Sequence, residues 1–128
     1  MAATPAAVST GEDLPSVAYR RMVDNPAAYA GRLLAVPACA ATAAHHGAYL
    51  YDCRDAAAQI VVLAGDRDVE KALFGERSVL EGRRVSARMI GVLEWQPDAP
   101  MACCLDPRHV FHLERVEGVS VLQLPVAD

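Results

Sequence analysis

The sequence contains few of the residues on which several classes of function depend. Aromatic residues make up 5% of the 128 residues, tryptophan occurs once, and only one of the twelve basic residues is lysine. No run of eighteen apolar residues is present, so we expect no membrane-spanning helix. Sixteen acidic residues give a net charge of −4, which disfavours partners that bind through phosphate neutralisation.

Sequence motifs that indicate catalysis are also missing. There is no carboxylate pair, Ser/His/Asp set, phosphate-binding glycine loop or His-Glu-x-x-His motif in the chain. Because each of these chemistries requires particular residue types at a particular spacing, we predict a non-enzymatic protein without a cofactor.

The sequence does have enough apolar residues for one folded domain. Hydrophobic residues make up 53% and charged residues 22% of the chain, which is typical of globular rather than disordered proteins. Residues 1–13 are polar, alanine-rich and aperiodic, and we predict a flexible leader there, followed by a single domain over residues 14–128.

Eleven of the twelve basic residues are arginine. This preference for arginine over lysine is typical of proteins encoded by GC-rich bacterial genomes.

The first residues and the cysteines bear on the cellular compartment. Residues 1–7 lack the basic and apolar segments of a signal peptide. Two interpretations remain open, a cytoplasmic start or a mature exported chain to which Met1 was added. Small residues are typical of positions after a cleavage site, which favours a periplasmic or otherwise exported protein. The four cysteines would then permit two disulfides, whereas in the cytoplasm they would be buried thiols.

Hydropathy periodicity predicts one helix and then mostly strands. Leu14–Val23 has helical spacing and ends before Asn25-Pro26, with Asn25 capping a second short turn that Gly31 closes. Period-two alternation predicts strands over residues 32–41, 48–53, 59–64, 83–95 and 109–117, of which the apolar third should be central. A helix is predicted over residues 66–74, with Asp68 as its N-cap and Val69, Ala72 and Leu73 facing inward.

Two residues within the strands require special backbone arrangements. Pro37 has no N–H to donate, so the first strand needs a bulge or an unpaired edge at that position. Gly91 lies in the middle of the fourth strand, a usual place for a bend in a closed sheet.

Three strands, a short helix and two further strands follow the order of a five-stranded Greek-key barrel of the oligonucleotide/oligosaccharide-binding type, the OB-fold. The pattern Asn25-Pro26-x-x-Tyr29-x-Gly31-Arg32, followed by Tyr49-Leu50-Tyr51, resembles the opening of small bacterial OB-fold proteins, many of them exported and uncharacterised. This resemblance implies that Tyr29 packs under the barrel and that Gly31 starts the first strand. It implies no catalytic residue, and Pro37-Ala38 stands where the family pattern has glycine.

Cys39 and Cys53 lie seven residues on either side of His46. If the hairpin turn is centred there, the two cysteines face each other across the ladder at a separation close to that of a disulfide. The alternative is two buried thiols, because a shift of one residue in the turn would separate the pair.

Other cysteines and histidines suggest a metal only weakly. Cys103-Cys104 with His109 and His112 contains zinc-ligand types, but adjacent cysteines rarely bind one ion together, and residues three apart on a strand point to opposite faces. We predict no metal site, and a loop disulfide, a vicinal disulfide or inert thiols all remain open. The pair His45-His46 is interpreted as exposed turn residues.

Two kinds of partner remain as candidates. Single-stranded nucleic acid would use aromatic platforms and arginines of the OB-fold face, Tyr49, Tyr51, Arg84, Arg88 and Trp95. A protein partner would use anchors on or beside the long loop over residues 96–108, namely Trp95, Met101 and Leu105. Within the apolar tail Val119–Val126, residues Val119–Leu124 would pair with a sheet edge or with another chain, including a second copy of this one. Alternatively, the loop anchors and the tail cover the open end of the barrel. We predict a protein-binding module, an exported adaptor or inhibitor-like protein, with nucleic-acid binding as the alternative.

Overall fold

The computed structural model describes residues 14–43, 47–56, 58–74, 84–100 and 106–122, and every structural statement below concerns these residues. The predicted leader lies outside them. Three helices and five strands are present: α1 (Tyr19–Asp24), α2 (Pro26–Tyr29), β1 (Leu33–Ala43), β2 (Gly47–Tyr51), β3 (Ile60–Ala64), α3 (Arg67–Phe74), β4 (Arg84–Trp95) and β5 (Asp106–Val121). No helix in the described part of the chain is long and apolar enough to cross a membrane.

The five strands form one mixed sheet in the order β1-β2-β3-β5-β4, and β4 pairs again with β1 to make a barrel-like ring. All pairs are antiparallel except β3 with β5, which run parallel. β3 is therefore paired on both sides, as predicted for the third strand. Its last two residues, Leu63 and Ala64, are nevertheless exposed, and Leu63 is 50% exposed.

The inside of the ring holds the main hydrophobic core. Residues at alternate positions of β1 and β4 point inward and are buried, as the period-two alternation predicted. They pack with residues of the other strands and of the helices. The largest fully buried side chains of this core are Phe111, Met22, Leu34, Leu50, Ile60, Leu73, Met89, Leu93 and Leu113. Tyr29 is half-buried and packs against this core.

The predicted first helix begins later than the sequence indicated. Residues 14–18 are not helical, because the segment lies along β1: the Val17 N–H donates to the Ala35 carbonyl and the Ala35 N–H to the Pro15 carbonyl, both at 3.0 Å. The helix α1 starts only at Tyr19. Asn25 precedes α2, but its side chain makes no cap bond there and donates instead to the Arg21 carbonyl.

Pro37 occupies an edge position, one of the two predicted solutions. It lies between Ala35, whose N–H points to the N-terminal segment, and Cys39, the first β1 residue paired with β2. Because N–H directions alternate along a strand, the missing N–H of Pro37 falls on the side away from β4. The β1–β4 ladder thus continues through Pro37 without losing a bond.

Gly91 marks the predicted irregularity in β4. The pairing of β4 with β5 shifts between Ile90 and Gly91, and a Cβ at Gly91 would collide with the carbonyl oxygen of His112. Glycine is required here because the two backbones approach each other closely.

Helix α3 is confirmed, but its cap was predicted wrongly. The cap is Asp66, whose Oδ1 accepts a hydrogen bond from the Val69 N–H at 3.0 Å, and not Asp68. Leu73 is buried and Val69 packs against the core, whereas Ala72 is exposed and does not face inward. The helix begins one residue before Asp68, so Asp68 lies inside its first turn.

β5 is longer than the predicted strand and includes the first part of the apolar tail. Ser120 pairs with Ser86 and Val121 with Val85, and the Leu122 N–H donates to the Arg84 carbonyl. The described part of the tail therefore pairs with a strand of its own chain, the first of the two predicted pairings.

Candidate functional site

A groove of about 580 Å³ lies between α1, the turn after β2, and β1 and β4, and both inward-facing and outward-facing residues of these two strands line it. We call it the α1–β4 groove. Small or apolar residues make up most of its lining, and arginines with one aspartate provide the charge. Its lining residues are Ala18, Tyr19, Arg20, Pro37, Ala38, Asp52, Cys53, Arg54, Ser86, Ala87, Arg88 and Gly118.

Tyr19 fixes the helical wall of the groove. Its ring is buried, and its hydroxyl lies within hydrogen-bonding distance of the carbonyl oxygens of Leu50 (3.1 Å) and Ala58. Burial raises the pKa of this hydroxyl above its ordinary value, so it remains a neutral donor. Because Tyr19 points inward, the next residue, Arg20, points to the outside, where its Nη1 lies 3.9 Å from Asp52 and 3.8 Å from Asp55.

The turn after β2 forms the opposite wall. The nearly buried Asp52 organises it: its Oδ1 accepts from the Arg54 N–H at 2.9 Å, and its carbonyl accepts from the Ala56 N–H at 2.8 Å. Ala56 and Ala58 both have positive φ, near 55°. Side-chain-to-backbone bonds of this kind hold a turn in one conformation, and here they place Cys53 and Arg54 beside the groove.

Cys39 and Cys53 lie at disulfide distance, with sulfurs 2.02 Å apart and Cα atoms 5.1 Å apart. The pairing was predicted, but its geometric reason was wrong. Ala43 pairs with Gly47, so the hairpin is centred on position 45 rather than on His46, and Cys39 faces Tyr51. Cys53 reaches Cys39 because the chain leaves β2 after Tyr51 and the turn brings it back across the end of the ladder.

The charges around the groove are largely balanced within the protein. Arg88 forms an ion pair with Glu117 at 2.9 Å, and both side chains are partly exposed. Arg20 approaches two aspartates, as described above. The guanidinium of Arg54 forms no ion pair with any residue in the described part of the chain.

Two of the three predicted aromatic platforms, Tyr49 and Tyr51, pack against each other. Tyr51 is 6% exposed and packs on the outer face against Cys39 and Ala41, while Tyr49 and Leu122 cover the same small cluster. The rings of Tyr49 and Tyr51 are 5.8 Å apart and tilted by 43°. Burial raises the pKa of Tyr51, and the nearby Arg84 partly opposes this. A base could not stack on Tyr51 without displacing its neighbours.

Trp95 lies at the other end of β4 and has its own contacts. Its ring centroid is 4.8 Å from that of His109, its partner across the ladder, and the Arg108 guanidinium lies 5.8 Å from it. The ring of His109 is buried and its Nε2 is 3.0 Å from the Val23 carbonyl oxygen. Eleven residues of extended strand, roughly 36 Å, separate Trp95 from Arg84.

The remaining candidates form no common site with these. His112 points outward, opposite to the buried His109, and its Nε2 is 2.7 Å from Glu94 Oε1. His112 and Gln96, which both bond Glu94, lower the pKa of its carboxyl. In the described ranges no group of three or more His, Cys, Asp and Glu residues is placed to hold a metal ion. Met101, Leu105, Cys103, Cys104, His45 and His46 lie outside the described residues.

The structure therefore brings together only part of the predicted set. Of the binding candidates that the structure describes, Arg88 alone lines the groove, and Cys53 joins it from the predicted disulfide. Arg20, Asp52 and Arg54 were missed. Asp52 was missed because the strand was predicted to continue to residue 53, whereas β2 ends at Tyr51. No signal distinguished Arg20 from Arg21, because the burial of Tyr19 decides which of them faces the groove.

Comparisons with models of known protein families, with curated proteins and with solved structures gave no match to this chain.

Proposed function

We propose that this chain is a non-enzymatic protein-binding module whose α1–β4 groove holds an extended segment of a partner protein. The observation that carries the proposal is the lining of the groove. Small apolar residues such as Pro37 and Ala38 lie next to three arginines, in a volume that accommodates a few side chains.

This composition is that of a protein interface. Interface centres are apolar and relatively rich in arginine, and charged pairs lie around them at the rim. Specific contacts also hold both walls of the groove in place. The hydrogen bonds of the Tyr19 hydroxyl hold one wall, and the Asp52 turn with the Cys39–Cys53 disulfide holds the other. A preorganised surface loses less conformational entropy on binding.

The fold type and the compartment belong to the same proposal. The ring order β1-β2-β3-β5-β4, with a helix between β3 and β4, supports an OB-fold of the small bacterial kind. A disulfide between Cys39 and Cys53 would persist only in an oxidising compartment, which supports a periplasmic or otherwise exported protein acting as an adaptor or inhibitor.

Single-stranded nucleic acid is the second candidate, favoured by the closeness of Tyr49 and Tyr51 on the outer face. It has less support because Tyr51 is buried and Arg88 is paired with Glu117. Phosphate binding would require Arg88 to exchange the carboxylate of Glu117 for an external anion.

A groove-blocking variant tests the proposal. Ser86→Trp fills the groove from β4, and Ala72→Trp adds the same side chain to an exposed position of α3 as a control. In a pull-down from the oxidising compartment of the source organism, a protein should be captured by the unmodified chain and by Ala72→Trp but lost with Ser86→Trp. Equal capture by all three would place binding elsewhere. Micromolar binding of a single-stranded oligonucleotide, with affinity falling steeply as salt rises, would favour the alternative.

A further inference from the structure

Resting on the proposed function, we propose that Arg54 is the specificity-determining residue of the α1–β4 groove, and that it selects partner segments with one acidic side chain among small or apolar residues. The inference comes from the charges on the groove and from how firmly the position of Arg54 is held.

Among the arginines of the groove, Arg54 is the one whose guanidinium has no carboxylate partner in the described part of the chain. Arg88 is 2.9 Å from Glu117, and Arg20 lies between Asp52 and Asp55. Arg54 is exposed, lines the groove and forms no ion pair with any described residue. A guanidinium offers two parallel N–H groups that match a carboxylate. An Asp or Glu of the ligand would therefore form an ion pair with Arg54, as Glu117 does with Arg88.

The backbone of Arg54 is held from both sides. Its own N–H donates to Asp52 Oδ1, and the residue before it, Cys53, is joined to β1 through Cys39. The Asp52 carbonyl also accepts from Ala56, which closes the turn around Arg54. Only the side chain has to order when a ligand binds, and this small entropy cost strengthens the contact that Arg54 makes.

The surrounding carboxylates limit the ligand to one acidic group. Asp52, Asp55 and Glu117 lie at or next to the groove and carry negative charge. A second acid on the ligand would meet them without a free arginine to offset the repulsion, since like charges at close range are unfavourable. The expected ligand therefore has a single carboxylate, and a polyacidic segment is rejected.

Selection from a displayed library of random twelve-residue peptides tests this. We call a selected peptide groove-dependent if it binds the unmodified protein and does not bind Ser86→Trp. Groove-dependent peptides should carry one Asp or Glu flanked by small or apolar residues. Arg54→Glu should select peptides with a single Lys or Arg instead. Arg21→Glu makes the same charge change on an exposed residue outside the groove and should leave the selection unchanged.

A double-mutant cycle measures the contact itself. Replacing the acid of a selected peptide by its amide should weaken binding to the unmodified protein about tenfold, as for a hydrogen bond to a charged group. The same replacement should have no effect on binding to Arg54→Ala, and Arg54→Lys should retain part of the preference. Circular dichroism would verify that the exposed substitutions leave the fold intact.

The outcomes separate the two proposals. Groove-dependent peptides without an acid, or with runs of acids, would overturn the role of Arg54 and leave the protein-binding groove standing. Failure to select any groove-dependent peptide would overturn both proposals. So would a concentration-dependent dimer abolished by Ser86→Trp, because the occupant would then be a second copy of this chain.

Discussion

The inner and outer faces of the paired strands β1 and β4 are organised by different forces. On the inner face, residues such as Val36 and Met89 are fully buried by the other strands of the ring. On the outer face, Cys39 and Arg88 are held by contacts with residues elsewhere in the chain: Cys39 by a disulfide and a small buried cluster, and Arg88 by an ion pair. The inner face provides most of the stability, and outward-facing residues such as Arg88 contribute charge to the groove.

The largest effect is expected from removing volume inside the ring. Phe111 is fully buried in the main core, so Phe111→Ala should lower the free energy of unfolding by about 3–5 kcal/mol. Urea denaturation followed by circular dichroism measures this. His112→Ala, at the next and outward-pointing position, is the control and should cost far less. Equal losses would contradict the contrast between the faces.

The disulfide should provide most of the stability that the outer face contributes. Cys39 and Cys53 are 14 residues apart, and a bond that closes a loop of about 15 residues contributes about 3 kcal/mol by the chain-entropy argument. The double substitution of both cysteines by alanine should lose about that amount, as should reduction of the unmodified protein. A cross-linked Cys39–Cys53 peptide should appear by mass spectrometry without reductant; full alkylation of both thiols under those conditions would contradict the bond.

Alkaline pH tests the small outer cluster around Tyr51. Because burial holds the pKa of Tyr51 above its ordinary value of 10.0, the unfolded chain releases this proton first as pH rises. The stability due to Tyr51 is therefore complete below pH 10 and is lost above it. Tyr51→Phe should lose less stability than the unmodified chain between pH 8 and pH 10.5 in matched urea titrations. Identical losses would mean that Tyr51 is hydrated in the folded state.

The smallest effect is expected at the rim of the groove. The ion pair of Arg88 and Glu117 is partly exposed, so Arg88→Ala should change the free energy of unfolding by less than about 1 kcal/mol, and less still at high salt. Glu117→Gln removes the same pair from the other side, together with the longer 3.9 Å contact to the exposed Arg115, and should also cost less than about 1 kcal/mol. A loss as large as that of Phe111→Ala would show that the rim is structural rather than available for binding.

The inner face could be predicted from the sequence because alternation alone determines it. The alternation in the strand predicted over residues 32–41 places Leu34, Val36, Ala38 and Ala40 on one face, and all four belong to the core inside the ring. The position of Gly91 also predicted the irregularity in β4 correctly. These features depend on neighbours two residues apart on the same strand, and local pattern is sufficient for them.

The groove could not be predicted because distant segments form it. The late start of α1 follows from hydrogen bonds between Pro15, Val17 and Ala35, which no local pattern contains. The available charge of Arg54 depends on which aspartates approach Arg20. The Cys39–Cys53 pair was predicted correctly, but from a hairpin centred on His46, whereas the pairing of Ala43 with Gly47 centres it on position 45.

The parallel pair of β3 and β5 has a consequence for how the chain folds. Val61 pairs with Val110, about fifty residues later, and β5 also pairs with β4. Both of these strand pairings therefore form only when β5 is in place. Closing so long a loop is entropically costly before any contact compensates for it, and such non-local pairing slows folding. During synthesis, the edges of β3 and β4 stay open until β5 has left the ribosome. Until then each edge is a template for pairing with another chain.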